Sequence, residues 1–481
     1  MTPDLDLVPF VPELVLVAAA IVGLLYEALA RGPRYPVHLA VALAGIVVAS
    51  GATLALWRYG GDPTVLAGAI ATDRLAVLAR LTVLGAAFCG LLLGTHAIER
   101  DPAAARGEFF PLLLFATTGM TLIVAAADLI VVFLALEVLS LSLYVLTGLP
   151  GRRAASEASL KYFLLGAFSS AFFLYGVAMV YGATGTTRIP EIANALVGRT
   201  GEQGLALLAA ALLLIGLGFK VSAAPFHMWT PDVYQGAPTS VTAFMSAATK
   251  VAAFAALIRV FDVGLQALRW DWTPLVAALA AVSVVLGSVL AIAQADVKRM
   301  LAYSSVAHAG FILTGLTASN ADGIGASLFY LIAYSAMTIG SFAVVGVTTT
   351  RGEDRTDLDA YRGLYRRDPH LAAAMALFLV SLAGVPPTAG FIAKVGVFGA
   401  AIGAGYVWLA LLGVLASVAA AYVYLRVIVL MFMVEPEEAL VSDPAPLPRI
   451  AIAIGAAIVL VLGLFPGLVT DLVRSAAVLR W

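Results

Sequence analysis

Apolar runs long enough to cross a lipid bilayer recur along the whole chain, separated by short polar interruptions. The hydrocarbon core of a bilayer is roughly 30 Å thick and an α-helix rises about 1.5 Å per residue, so about 20 apolar residues span it. Such runs fall at about 11–30, 37–57, 75–95, 110–126, 128–149, 157–183, 204–235, 238–261, 272–293, 297–317, 325–347, 370–402, 405–433 and 450–472. Lipid cannot hydrogen-bond a free backbone group, so each run is expected to be helical. The expected fold is an all-α integral membrane protein of about fourteen transmembrane helices. The run from Val11 to Leu29 follows Asp4 and Asp6 rather than a basic stretch and no small-residue cleavage site succeeds it, so it reads as a membrane helix and not a signal peptide.

Residues in the spans at 204–235 and 370–402 are too many for one crossing, and each span carries a break, at Ser222–Pro225 and at Gly384–Pro387. Non-helical backbone at membrane depth must be buried in protein or line a wet cavity. Broken helices in corresponding places suggest two structural repeats. Each break falls in the fourth helix of a five-helix unit, at 110–261 and 272–433, flanked by three helices within 1–109 and a last one at 450–472.

Composition limits the chemistry. Charged residues are 12% of the chain against 62% hydrophobic, and the net charge of -1 offers nothing to nucleic acid. A single cysteine, Cys89, can neither close an internal disulfide nor ligate an iron–sulfur cluster, and no GxGxxG or Walker loop is present. No cofactor or metal is therefore expected in this chain, and energy must come from a partner or an ion gradient. Among the loop cations, one side collects Arg31, Arg34, Arg100, Arg106, Arg152, Arg153, Lys298, Arg299, Arg351, Arg355, Arg362, Arg366, Arg367 and Arg449. The other has only Arg58, Arg74, Arg188, Arg199, Arg259, Arg269, Arg474 and Arg480. The richer side is expected to be cytoplasmic, with both termini on the periplasmic or external side of a plasma (inner) membrane. The loop at about 348–368 alternates Arg with Asp and Glu and reads as a solvated connector.

An ionisable residue at the centre of a membrane helix costs about 2.5–3.5 kcal/mol on insertion scales and calls for a functional or pairing explanation. Glu137, Lys161, Lys220, Lys250 and Lys394 all fall inside spans. One carboxylate cannot neutralise four amines, and a lysine whose counter-charge comes and goes is a credible proton carrier. Static ion pairs that fix helix packing are the alternative. Thr239, Thr242, Ser246 and Lys250 share a helix face, Ser304 and Ser305 lie near His308, and Ser327, Tyr330, Tyr334, Thr338 and Ser341 form another stripe. Such stripes suit a file of waters, or simply close helix packing. His308 suits a shuttle and equally a satisfied buried histidine. Arg80 and Arg426 do not deprotonate, which points to structural roles.

The segment GFKVSAAPFHMWTPDVYQGAPTSVTAFMSAATKVAAFA, around Lys220 to Ala256, resembles the signature of the antiporter-like subunits shared by respiratory complex I, Mrp-type sodium/proton antiporters and membrane-bound hydrogenases. ALEVLSLSLYVL around Glu137, ASLKYFLLGAFSSAFFLYG around Lys161, DVKRMLAYSSVAHAGF around His308 and GVPPTAGFIAKVGVF around Lys394 extend the resemblance over about 110–433. VYQGAPTSVTAF, the lysines at 250 and 394, and a chain that ends soon after its last span without a long lateral helix resemble one particular complex I paralogue.

The resemblance implies two inverted five-helix repeats, each with a discontinuous helix. It implies Glu137 as a pairing glutamate beside Lys220, Lys161 and Lys250 as connecting lysines, and Lys394 as the lysine of a second half-channel. It further implies a proton-translocating subunit of NADH:quinone oxidoreductase that works beside other antiporter-like membrane subunits, in contact with lipid and protons. NADH, FMN, iron–sulfur clusters and quinone would be handled by other subunits. Within the family the rival is a subunit of an Mrp antiporter or hydrogenase. Outside it, the rivals are a self-standing solute transporter, disfavoured by the lack of an obvious substrate cradle, and a scaffold whose charges only join helices.

Overall fold

The computed structural model describes residues 6–30, 35–100, 107–197, 203–350, 353–354, 356–435, 441–442 and 446–479. Its helices are α1 (Val11–Leu29), α2 (Tyr35–Ala55), α3 (Arg74–Arg100), α4 (Phe109–Ala125), α5 (Leu129–Gly148), α6 (Arg153–Thr184), α7 (Ile189–Leu196), α8 (Gly204–Lys220), α9 (Trp229–Gly236), α10 (Thr239–Leu257), α11 (Arg269–Ile292), α12 (Val297–Leu316), α13 (Ala321–Val347), α14 (Leu364–Arg367), α15 (Pro369–Ala383), α16 (Ala389–Gly403), α17 (Val407–Met433), α18 (Pro446–Leu464) and α19 (Gly467–Ala476). Among the described residues, ten helical stretches are long and apolar enough to cross a membrane. Four shorter apolar helices, α4, α8, α15 and α16, accompany them.

Polar residues at helix entrances explain several starts. The carboxylates of Asp128, Asp296 and Asp368 and the amide oxygen of Asn320 accept backbone N–H bonds at the first turns of α5, α12, α15 and α13. Every residue of α10 is buried, against α3, α4, α8 and α13, and its sequence is small or apolar apart from the hydroxyls of Ser and Thr and the ammonium of Lys250. Small residues let α11 and α12 approach closely: a Cβ on Gly287 would lie 2.4 Å from the amide of Ala307, and one on Gly310 2.7 Å from the carbonyl of Ala280.

The breaks fall where expected. α8 ends at Lys220 and α9 begins at Trp229, while α15 ends at Ala383 and α16 begins at Ala389. Three details differ from the sequence reading. The run at 450–472 is two helices, α18 and the short α19, with Pro466 between them; α19 packs on α13 and α3. The loop at 348–368 is not simply solvated: the amide of Val297 bonds the carbonyl of Thr356, and Leu358, Tyr361 and Leu364 are buried. Arg259 is no loop residue but a fully buried side chain in a π-helical turn, Ile258–Gly264, that continues α10. Part of the orientation expectation rests on Arg31, Arg34, Arg106, Arg199, Arg351, Arg355 and Arg480, which lie outside the described residues.

Candidate functional site

α5 carries Glu137 half-buried and, one turn on, Ser140 fully buried. The ammonium of Lys220, the last residue of α8, donates to Ser140 Oγ at 2.7 Å. It also sits 5.8–5.9 Å from the ring centroids of Tyr144, Tyr162 and Phe219, within range of cation–π attraction. The direct Glu137–Lys220 ion pair implied by family resemblance is not formed; the Ser140 hydroxyl that accepts from Lys220 donates in turn to the carbonyl of Leu136, the residue before Glu137. Glu137 Oε1 has no hydrogen-bond partner among the described residues.

Side chains satisfy the backbone released at the first break. Past Lys220 the chain turns at Ser222, whose φ is +65°. The indole of Trp229 donates to the carbonyl of Phe219 at 2.9 Å, and the amide of Ala224 donates to Ser283 Oγ at 2.8 Å. Lys250 reaches across from α10 and donates to the carbonyls of Val221 at 3.0 Å and Ser305 at 2.8 Å, with the Tyr334 ring 5.5 Å away. Carbonyls at a helix C-terminus carry partial negative charge, so a buried ammonium finds there what it otherwise lacks.

The second break has the same feature. Lys394, buried on α16, donates to the carbonyl of Ala383, the last residue of α15, at 2.8 Å and lies 4.7 Å from the Phe311 ring centroid. Gly384 is required between them: its φ is +86°, and a Cβ there would press 2.8 Å against Lys394 Cδ.

His308 on α12 stands between the two breaks. Its Nδ1 shares a 2.8 Å hydrogen bond with the Tyr330 hydroxyl, and its Nε2 lies 3.4 Å from the Tyr424 hydroxyl, which in turn meets Ser304 Oγ at 2.5 Å. The predicted stripe on α13 thus converges on His308 and Lys250 through Tyr330 and Tyr334. The stripe on α10 does less: the hydroxyls of Thr242 and Ser246 are bonded to backbone carbonyls, those of Tyr234 and Pro238 for Thr242 and that of Ala243 for Ser246.

Lys161 differs from the other lysines. Its side chain is 44% exposed and pairs with Glu157 and with Asp232, each at 2.9 Å. Asp232 also pairs with Arg299 at 2.6 Å, so one carboxylate on α9 clasps cations of α6 and α12. The count of four amines against one carboxylate omitted this residue.

Arg80, read from the sequence as structural, has a partner the sequence reading missed, and a second buried pair was missed altogether. Glu13 on α1 and Arg80 on α3, both fully buried, pair at 2.9 Å. Arg259 grips Asp73 in a bidentate pair at 2.7 and 2.9 Å and donates to the carbonyl of Val124. No group of three or more His, Cys, Asp or Glu side chains is placed to hold a metal among the described residues.

The family model for the NADH:quinone oxidoreductase/Mrp antiporter transmembrane region matches residues 126–420. The chain is 45% identical to NADH-quinone oxidoreductase subunit N of Rhodococcus opacus, over 99% of this chain and 96% of that protein. It is 43% identical to the protein of the same name in Mycobacterium tuberculosis, over 99% and 98%. Among solved structures, a chain of respiratory complex I from Thermus thermophilus superposes with a TM-score of 0.82 at 38% identity, covering 96% of this chain and 98% of that one. A chain of the Mrp complex from Dietzia shares the fold, with a TM-score of 0.82 at 24% identity over 98% and 97%. Similarity of this extent, running through both breaks and every lysine described above, makes the chain a member of the NADH:quinone oxidoreductase/Mrp antiporter transmembrane family.

Proposed function

We propose that this chain is a proton-translocating membrane subunit of an NADH:quinone oxidoreductase, of the subunit N type its relatives represent. Electron transfer from NADH through FMN and iron–sulfur clusters to quinone takes place in partner subunits, and this chain converts a conformational stroke into proton movement. In this reading α4, the α8–α9 pair, α12 and the α15–α16 pair join the ten long apolar stretches as fourteen spans. They divide into two inverted repeats, α4–α10 and α11–α17, with both termini on the external side.

The observation that carries the reading is that each broken helix ends on a carbonyl held by a buried lysine, Val221 by Lys250 and Ala383 by Lys394. Between them stand the side chains that exchange protons: Lys220 with Ser140 and Glu137 on one flank, His308 with Tyr330 and Tyr424 in the middle. Lys161 joins this row from one membrane face. A stroke can drive the proton only if it changes the free energy of the two arrangements, and a half-helix that moves relative to its lysine does that.

The test is the company the chain keeps. A mildly solubilised complex, purified through a tag on this chain, is expected to contain NADH-oxidising, flavin-bearing subunits and to acidify sealed vesicles while consuming NADH. Recovery with a sodium/proton antiporter assembly alone would overturn the assignment.

A further inference from the structure

Asp262 lies in the π-helical turn that ends the helix of Lys250, and it is only 8% exposed. Its Oδ1 accepts a 2.8 Å hydrogen bond from Ser319, in the turn after α12, and its Oδ2 has no hydrogen-bond partner among the described residues. On an α-helix Asp262 would share a face with Arg259, three residues earlier. The wider i→i+5 turn, marked by the bond from the amide of Leu265 to the carbonyl of Val260, moves it off that face, and Arg259 turns instead to Asp73. Other charges near the turn are also engaged or exposed: Arg188 and Glu191 of the adjoining α7 pair with each other at 2.8 Å, Arg269 lies over Trp270, and Asp322 is exposed. No cation among the described residues is within ion-pair distance of Asp262.

An ionised carboxylate withdrawn from water needs a counter-charge. With no described side chain supplying it, and with Oδ2 open among the described residues, a proton is the partner that fits. Gln266, one turn on, is exposed, so the carboxyl lies just under the surface expected to be external. About 18 Å inward along α10 is Lys250. On the neighbouring helices, Ser319 is one turn from Gly315, which packs against Ser327, and Ser327, whose hydroxyl donates to the carbonyl of Ile312, is one turn from Tyr330, the partner of His308; a proton on this side passes the glycine by way of water.

We propose that Asp262 is a proton-exchange site at the external end of the pump, taking a proton on Oδ2 from the interior row and releasing it to the outer medium. This rests on the proton-pumping reading above.

The experiment uses the intact complex in membranes, treated with an apolar carbodiimide. The reagent adds to a carboxylic acid, the acid proton going to nitrogen and the carboxyl oxygen to carbon, before rearrangement to a stable N-acylurea read by peptide mass spectrometry. Asp262 is expected to be modified, increasingly as pH falls, while ion-paired Glu13 is not. Asp262→Asn is expected to abolish that adduct and to lower protons moved per NADH in vesicles by as large a factor as Lys394→Met, with Asp262→Glu restoring most of the loss.

Absence of an adduct at every pH would overturn the proposal, as would an adduct in the parent complex together with undiminished pumping by Asp262→Asn. If Asn at 262 prevents assembly, the labelling of the parent complex and the pumping of Asp262→Glu decide. If Lys394→Met also leaves pumping unchanged, it is the reading of the chain as a pump that fails.

Discussion

Lys250 donates its ammonium proton to the carbonyl of Val221, the residue that caps α8, so a lysine of one helix closes the broken end of another at 3.0 Å. Lys394 does the same for Ala383 at 2.8 Å. A cation at a helix C-terminus gains about 0.3–1 kcal/mol at a surface and up to about 2 when partly buried. This is enough to hold the charge and small enough for a movement of the half-helix to release it.

Replacing either lysine with methionine keeps the length of the side chain and removes the donor. Each carbonyl left unpaired, two for Lys250 and one for Lys394, costs about 1–3 kcal/mol, a modest burden on a tightly packed subunit. Lys250→Met and Lys394→Met are therefore expected to leave most of the complex assembled on native gels while cutting vesicle acidification per NADH several-fold. A parallel fall of assembly and pumping would make the lysines structural caps only.

Lys220 tests whether a proton leaves the side chain or merely a charge is held. Arginine carries the same charge and is effectively never deprotonated in proteins, so Lys220→Arg is expected to assemble and to lose most pumping. Ser140→Ala removes the 2.7 Å hydroxyl acceptor of Lys220, one turn from Glu137 on α5. It is expected to lower protons moved per NADH less than Lys220→Arg does, in the same vesicle assay. Normal stoichiometry in assembled Lys220→Arg would show that Lys220 need not titrate.

The spans, the breaks and the intramembrane lysines were legible because they are local: an apolar run, a Pro after a Gly or Ser, a Lys among Ala and Val. The acceptors of those lysines were not. Val221 and Ala383 become acceptors only because a helix stops there, and nothing in the sequence says which distant side chain turns toward them. Glu13 and Arg80 are 67 residues apart and Asp73 and Arg259 are 186 apart, so the sequence shows neither pairing, and Arg80 read only as structural while Arg259 read as a loop cation. Two signals were present and overlooked. Glu157 and Lys161 have the i,i+4 spacing of a helical ion pair, and Pro466 divides the last apolar run into α18 and α19.

The Glu13–Arg80 pair joins α1 to α3 away from the lysine row, so its role is packing. Removing one partner leaves a buried charge and costs about 3–5 kcal/mol, whereas replacing both with apolar residues is often neutral. Arg80→Leu is expected to lower the thermal unfolding midpoint of the solubilised complex clearly, and Glu13→Leu combined with Arg80→Leu to recover most of it. A double variant as unstable as the single one would refute the account. Protons moved per NADH in whatever complex assembles should stay near the parent value in both.

Asp232 offers the sharpest separation of charge position from stability. It lies on α9, the half-helix beyond the first break, and holds Lys161 of α6 and Arg299 of α12 at 2.9 and 2.6 Å. These side chains are partly exposed, so water screens the pairs, and each contributes about 0–1 kcal/mol to folding. Asp232→Asn is therefore expected to assemble normally and to shift the unfolding midpoint little. The same change removes the ion pairs that tie α9 to both neighbours and leaves two cations at the membrane face without the carboxylate between them. If α9 moves as a unit in each stroke, protons moved per NADH fall while electron transfer from NADH continues. Raising ionic strength, which weakens partly exposed pairs, should push the parent complex in the same direction and leave Asp232→Asn almost unaffected. Parent and variant responding equally to salt would mean that the clasp plays no part in the stroke.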